Sequence, residues 1–125
     1  MQFLTCPLFF RPPGGDTGSV SPTKSGVYAF WPIMGGPGKG AIGSAVASDK
    51  TLTTWNQRGP TIPMPKRINT GYRDPVRAFE WNDKWYVGVG CGNKEEGAQF
   101  CLFEAEDRGR SGGAGSIVAS GNPGL

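Results

Sequence analysis

Two stretches of this chain repeat one pattern at a single offset, that from Tyr28 to Tyr86. Gly26-Val27-Tyr28 corresponds to Lys84-Trp85-Tyr86, and Ala47-Ser48-Asp49 to Ala105-Glu106-Asp107; within one residue, Gly40-Ala41 corresponds to Gly97-Ala98. In each copy a β-hairpin runs into an acidic turn. The offset lies somewhat beyond the ~50-residue upper end of common propeller repeats. A unit this small buries its apolar face only against a neighbour. Successive blades of a β-propeller, each of about four strands, read this way.

Local signals agree with strands and exclude helices of useful length. Gly (21) and Pro (11) make up about a quarter of the 125 residues, and many of the glycines fall in the last stretch. Val27 to Trp31 is a β-rich run closed by Pro32, and Ala41 to Ala47 reads as its partner. A short strand is expected at Thr17-Gly18-Ser19-Val20. Pro60, Pro63 and Pro65 leave a short edge strand at best after Trp55. Val76 to Trp81, a two-residue turn at Asn82-Asp83 and Lys84 to Gly90 form a hairpin, followed by a strand over Ala98 to Phe103. Gly35-Gly36-Pro37-Gly38-Lys39-Gly40 lacks the spacing of a phosphate-binding loop and reads as a turn. From Arg108 the repeat breaks into a Gly-rich low-complexity tail, expected to be disordered. The expected fold is therefore all-β, a partial propeller of about two blades. Residues 1–15 form a poorly patterned leader, 16–107 the domain and 108–125 the tail.

Thirteen basic and ten acidic residues are interspersed, with a net charge of +3. Such a mixed surface does not point to nucleic acid. The single triplet Arg108-Gly109-Arg110 is too little to change that. No histidine is present, which removes Ser-His-Asp and Cys-His catalysis and histidine metal sites. Cys6, Cys91 and Cys101 are too few and too spread for zinc, and no cofactor is implied. Cys91 and Cys101 fall on neighbouring expected strands, which leaves a disulfide and two buried thiols both open. Met1 to Phe10 has no basic n-region and is broken by Pro7. It is read neither as a signal peptide nor as a membrane span, and localisation stays open.

The chemistry concentrates at Asn69-Thr70-Gly71-Tyr72-Arg73-Asp74-Pro75. Gly71 permits a tight turn. Pro75 is expected to push Asp74 into an extended conformation at the entry to a strand, with Arg73 and Asp74 on opposite sides. Alone, Arg-Asp-Pro is an ordinary turn. The wider block is more specific: Thr70 to Phe79, then Lys84-Trp85-Tyr86-Val87-Gly88-Val89-Gly90, with Ser48-Asp49-Lys50-Thr51-Leu52-Thr53-Thr54-Trp55 shortly before. It resembles the Arg-Asp-Pro region of family 32 of the glycoside hydrolases, the invertases and fructan hydrolases. The resemblance spans roughly residues 16 to 107, about two blades of a five-bladed propeller.

That resemblance implies a β-fructofuranosidase-type glycosidase, with a β-fructoside as its partner. It gives Asp74 the role of transition-state stabiliser among the catalytic acids. Arg73 and Tyr72 become substrate-binding residues. Retaining hydrolysis needs a nucleophile and an acid/base ~5–5.5 Å apart. The family carries these in Asn-Asp-Pro-Asn-Gly and Glu-Cys motifs, and neither occurs here. Asp16, Asp49, Glu80, Asp83, Glu95, Glu96, Glu104, Glu106 and Asp107 match no catalytic position and read as solvated surface. The chain is thus expected to be an inactive fragment by itself. The alternative is a non-catalytic carbohydrate-binding or scaffolding propeller piece. Trp31, Trp55, Trp81 and Trp85 are expected to pack within or between blades, and open sheet edges offer a route to self-association.

Overall fold

The computed structural model describes residues 17–36 and 38–105. The leader over 1–15, Asp16, Cys6, Glu106, Asp107 and the tail over 108–125 lie outside the described residues. Eight strands follow in order: β1 (Ser19–Thr23), β2 (Gly26–Pro32), β3 (Ile42–Ala47), β4 (Trp55–Ile62), β5 (Gly71–Arg73), β6 (Phe79–Trp81), β7 (Lys84–Asn93) and β8 (Gly97–Ala105). Among the described residues there is no helix. The chain is all-β, in two antiparallel four-stranded sheets, and neither sheet closes on itself.

The first sheet is a meander, β1-β2-β3-β4. β4 extends further than its prolines suggest, from Trp55 through Pro60 to Ile62. It is an edge strand, where a missing N–H costs little. Register shifts beside Gly43 and Ala45, with Gly59 at a φ of 68°, let Pro60 sit opposite Gly43. In the second sheet β7 is central. β8 runs along one side, while β5 and β6 share the other: β5 pairs with Gly90–Gly92 and β6 with Lys84–Tyr86. The strand expected over Val76 to Trp81 is therefore shorter, starting only at Phe79. Pro75 can supply no ladder donor, Val76 makes a single bond to Gly88 of β7, and Ala78 donates to the other sheet. Asn82 and Asp83, at φ of 50° and 60°, make the expected two-residue turn.

The repeat extends to hydrogen-bond register. Ser21 pairs with Tyr28 as Phe79 pairs with Tyr86, and Tyr28 with Val46 as Tyr86 with Glu104. Trp31 faces Gly43 as Val89 faces Cys101. Thus β1-β2-β3 and β6-β7-β8 are two copies of one three-stranded unit, related by the offset seen in the sequence.

The sheets pack face to face. Tyr28, Phe30, Ile42 and Ile62 of the first meet Tyr72, Val87, Val89, Cys101 and Phe103 of the second, with Ile68 and Ala78 completing the core. Burial at ~25 cal/mol per Å² of apolar surface drives this contact. One polar contact fixes it: Ser21 is fully buried, and its Oγ accepts the Ala78 N–H at 2.8 Å across the sheets. Within the second sheet Tyr72 meets Phe103 edge to face, ring centroids 6.2 Å apart. Cys91 and Cys101 are joined in a disulfide with a Cα–Cα distance of 5.9 Å. Cys101 pairs with Val89 and Cys91 with Gln99, so the bridge runs diagonally between strands on the core side.

Candidate functional site

The gap between β5 and β6 is where the chain leaves the second sheet and returns. Tyr72 pairs with Cys91 and points to the core, while Arg73 pairs with Gly90 and points to the opposite, open face. The next residue, Asp74, has a φ of 56°. The extended conformation expected before Pro75 is thus replaced by a left-handed one. Asp tolerates this region better than most residues, because its short carboxylate suits a turn. The bend turns the ring of Pro75 inward, where it is buried. Val76 then donates to Gly88 O at 2.8 Å and Ala78 to Ser21 Oγ, so the excursion is pinned at its far end by both sheets.

Arg73 and Asp74 therefore do not diverge as in a regular strand. Arg73 Nε lies 3.8 Å from Asp74 Oδ2, and both side chains are more than half exposed. An ion pair so exposed contributes ~1 kcal/mol or less to stability. What it offers is chemical: a planar guanidinium fork beside a carboxylate, a donor and acceptor set suited to adjacent hydroxyl groups.

Tyr72 is placed differently from its neighbours. Its ring is buried in the core, its hydroxyl donates to Pro63 O at 3.4 Å, and burial pushes the phenol up from its ordinary range. It anchors β5 rather than facing solvent beside Asp74. Glycine patterning in the neighbouring strand explains the geometry: Val87, Val89 and Cys91 fill the core face, while Gly88, Gly90 and Gly92 leave the other face flat.

Most other described carboxylates are engaged elsewhere. Asp49 organises the β3–β4 turn. It accepts N–H bonds from Thr53 and Thr54, each at 3.0 Å, and hydroxyl bonds from Thr51, Thr53 and Thr54. The Thr54 and Thr53 hydroxyls, followed by the Thr53 N–H, hold its carboxyl well below the usual carboxylate range. Leu52 takes a φ of 57° in the same turn, and its carbonyl accepts Trp55 Nε1–H at 3.0 Å. Glu80 pairs with Lys24 and Glu104 with Lys84, each at 3.2 Å. Glu96 is held low first by the Asn93 amide, then by Gln99 and Arg67. Asp83 lies in the β6–β7 turn and Glu95 in the β7–β8 turn. Among the described residues no group of three or more Cys, Asp or Glu could hold a metal ion. No described helix is long and apolar enough to cross a membrane.

A second feature was not legible in the sequence. Phe79, Trp81 and Phe100 are exposed, and Tyr86 and Leu102 are half-buried, all on the open face that carries Arg73. Phe79 and Tyr86 stack with centroids 5.7 Å apart. The Phe100 ring lies over Gly88, 2.0 Å from where a Cβ would stand. The alternation Tyr86-Val87-Gly88-Val89-Gly90 was the available signal, but alternation does not say which face is covered. Comparison with family models, with curated proteins and with solved structures finds no match to this chain.

Proposed function

We propose that this chain is a two-blade portion of a five-bladed propeller of the family 32 glycoside-hydrolase type, and that it contributes sugar binding rather than hydrolysis. The observation that carries this reading is the Arg73–Asp74 pair, exposed side by side on a bend held by the Val76 and Ala78 hydrogen bonds beyond Pro75. The guanidinium donates to sugar hydroxyls, and the carboxylate accepts from them. In the resembling enzymes the corresponding Asp stabilises the transition state on a β-fructoside. The two in-register β-units, each stacked on its neighbour, support the propeller reading. Tyr72 acts in this reading as the support of β5, not as a contact to sugar. Hydrolysis needs a nucleophile and an acid/base beside the sugar ring, and the Asn-Asp-Pro-Asn-Gly and Glu-Cys motifs that supply them in the resembling enzymes do not occur in this sequence.

The test is titration of the full chain with sucrose and inulin, followed by calorimetry or amide NMR shifts, beside an assay for released fructose. Binding without fructose release is expected. Asp74→Asn and Arg73→Ala should each weaken it by at least ~10-fold, the loss of one charge-assisted hydrogen bond. Fructose release abolished by Asp74→Ala would overturn the non-hydrolytic reading. No binding at ~10 mM sugar, weaker than any millimolar complex, would overturn the sugar-binding one.

A further inference from the structure

The matched register of the two units dictates how they pack. The face of the first sheet buried against the second carries Ser21, Tyr28, Phe30 and Ile42. Shifted by the repeat offset, these positions become Phe79, Tyr86, Gly88 and Phe100, the open face of the second sheet. Conversely, Ala78, Val87, Val89 and Phe103, which receive the first sheet, correspond to Val20, Ala29, Trp31 and Ala45 on the outer side of the first sheet. The units therefore stack head to tail, like face following like face. Among the described residues, each end of the two-sheet stack carries one half of the contact that its middle already makes, with Val20 37 % exposed on the outer side of the first sheet and Ala45, at 3 %, beneath its neighbours.

Both end faces are apolar where the internal contact is apolar. Val20, Phe79, Trp81 and Phe100 are four of the seven large hydrophobic side chains exposed on the described residues. All four lie on these two faces. Three of their four counterparts within the chain are closed: Ser21, the equivalent of Phe79, and Ile42, the equivalent of Phe100, are fully buried, and Ala78, the equivalent of Val20, is 5 % exposed. Ser21 and Ala78 are joined across the sheets by the 2.8 Å bond. By the same relation Phe79 of one chain lies opposite Val20 of the next. The Lys84–Glu104 pair borders the Phe79 face, opposite in sign and self-neutralising.

We propose that a second copy of this chain docks head to tail, laying its Val20–Trp31 face on the Phe79–Tyr86–Phe100 face of the first. This is a sheet-on-sheet contact that continues the one inside the chain. It is heterologous, so it forms a closed ring if the rotation between copies fits and an open stack if it does not. It rests on the repeat and not on the sugar-binding reading; since Arg73 and Phe100 flank Gly90 on the same face, docking and sugar binding there would compete.

Sedimentation or light-scattering mass on the full oxidised chain tests it. The wild type should reach at least twice its 13.3 kDa chain mass at ~100 μM, a concentration that populates a micromolar complex, and dissociate on dilution. Phe79→Glu and Val20→Glu should each be monomeric, with an unchanged far-ultraviolet spectrum. Mixed in equal amounts, they should form a 1:1 dimer and nothing larger, since the mixture holds one intact pair of faces. Trp81→Glu, at the most exposed of these positions, repeats the first variant where Phe79→Glu fails to fold. A monomeric wild type overturns the proposal. So does a dimer broken by Phe79→Glu but not by Val20→Glu, which means a two-fold contact, or one broken by neither, which means edge pairing.

Discussion

Replacing Ser21 by Ala removes the oxygen that accepts the Ala78 N–H, the buried hydrogen bond that ties the β5–β6 excursion to the first sheet. Ser21 has no solvent exposure, so water cannot replace the lost acceptor. An orphaned buried donor costs about 1–3 kcal/mol. The chain as a whole has on the order of 5–15 kcal/mol of stability, so a loss near 2 kcal/mol is a large share. With a urea slope of about 1–3 kcal/mol per M, the midpoint should fall by roughly 1 M. Ser44→Ala is the matched control. Ser44 is equally buried and bonds Thr61, but Thr61 Oγ1 also donates to Gly59 O at 3.2 Å and keeps a partner. Its loss should stay under ~1 kcal/mol. Urea unfolding followed by tryptophan fluorescence compares the two, and amide exchange at Ala78 should accelerate in Ser21→Ala alone. Equal costs, or a Ser21→Ala cost below ~0.5 kcal/mol, would refute the view that this bond fixes the sheet-to-sheet alignment.

Three further outcomes follow from local structure. Reducing the Cys91–Cys101 bridge, which closes a sequence separation of 10 residues, should cost about 2.7 kcal/mol by the chain-entropy relation; identical thermal melts with and without reductant would contradict this. Gly38→Ala should destabilise more than Gly59→Ala. Both positions have positive φ, 81° and 68°, a cost of ~1–2 kcal/mol, but only at Gly38 would the new Cβ meet Pro60 Cγ at 2.3 Å. Asp49 gives a pH dependence with a definite sign. Its folded carboxyl is held below its unfolded value near ~4, so its contribution is present above that pH and fades as pH falls toward the folded value. Urea midpoints between pH 5 and 2 should therefore drop more steeply for the wild type than for Asp49→Asn, and parallel curves would remove Asp49 from the acid sensitivity.

Several elements were decided by short-range chemistry and are legible in the sequence. Asn82-Asp83 sits between two β-rich runs, and both residues take the positive φ that a two-residue hairpin turn needs. Val27 to Pro32 and Ala41 to Ala47 carry the β-rich pattern that becomes β2 and β3. Tyr28 and Tyr86 mark equivalent strands because the repeat spacing preserves hydrogen-bond register. Arg73 and Asp74 are adjacent in sequence and so remain adjacent in space.

What the tertiary structure alone decided is which face of each strand meets another sheet. Tyr72 and Arg73 alternate along one strand, and no local rule says which of them is covered; packing of one face against the first sheet buried the tyrosine and left the arginine outside. The backbone of Asp74 turned left-handed against the preference imposed by Pro75, because Val76 and Ala78 find their acceptors on Gly88 and Ser21, residues distant in sequence. The disulfide was open between two chemistries until the pairing of β7 with β8 set Cys91 and Cys101 diagonally on one face. Strand propensity and turn chemistry act over a few residues, and one sequence supplied both. Burial is settled between surfaces far apart in the chain, and so Phe79, Trp81 and Phe100 are exposed although their sequence patterns match those of buried strands.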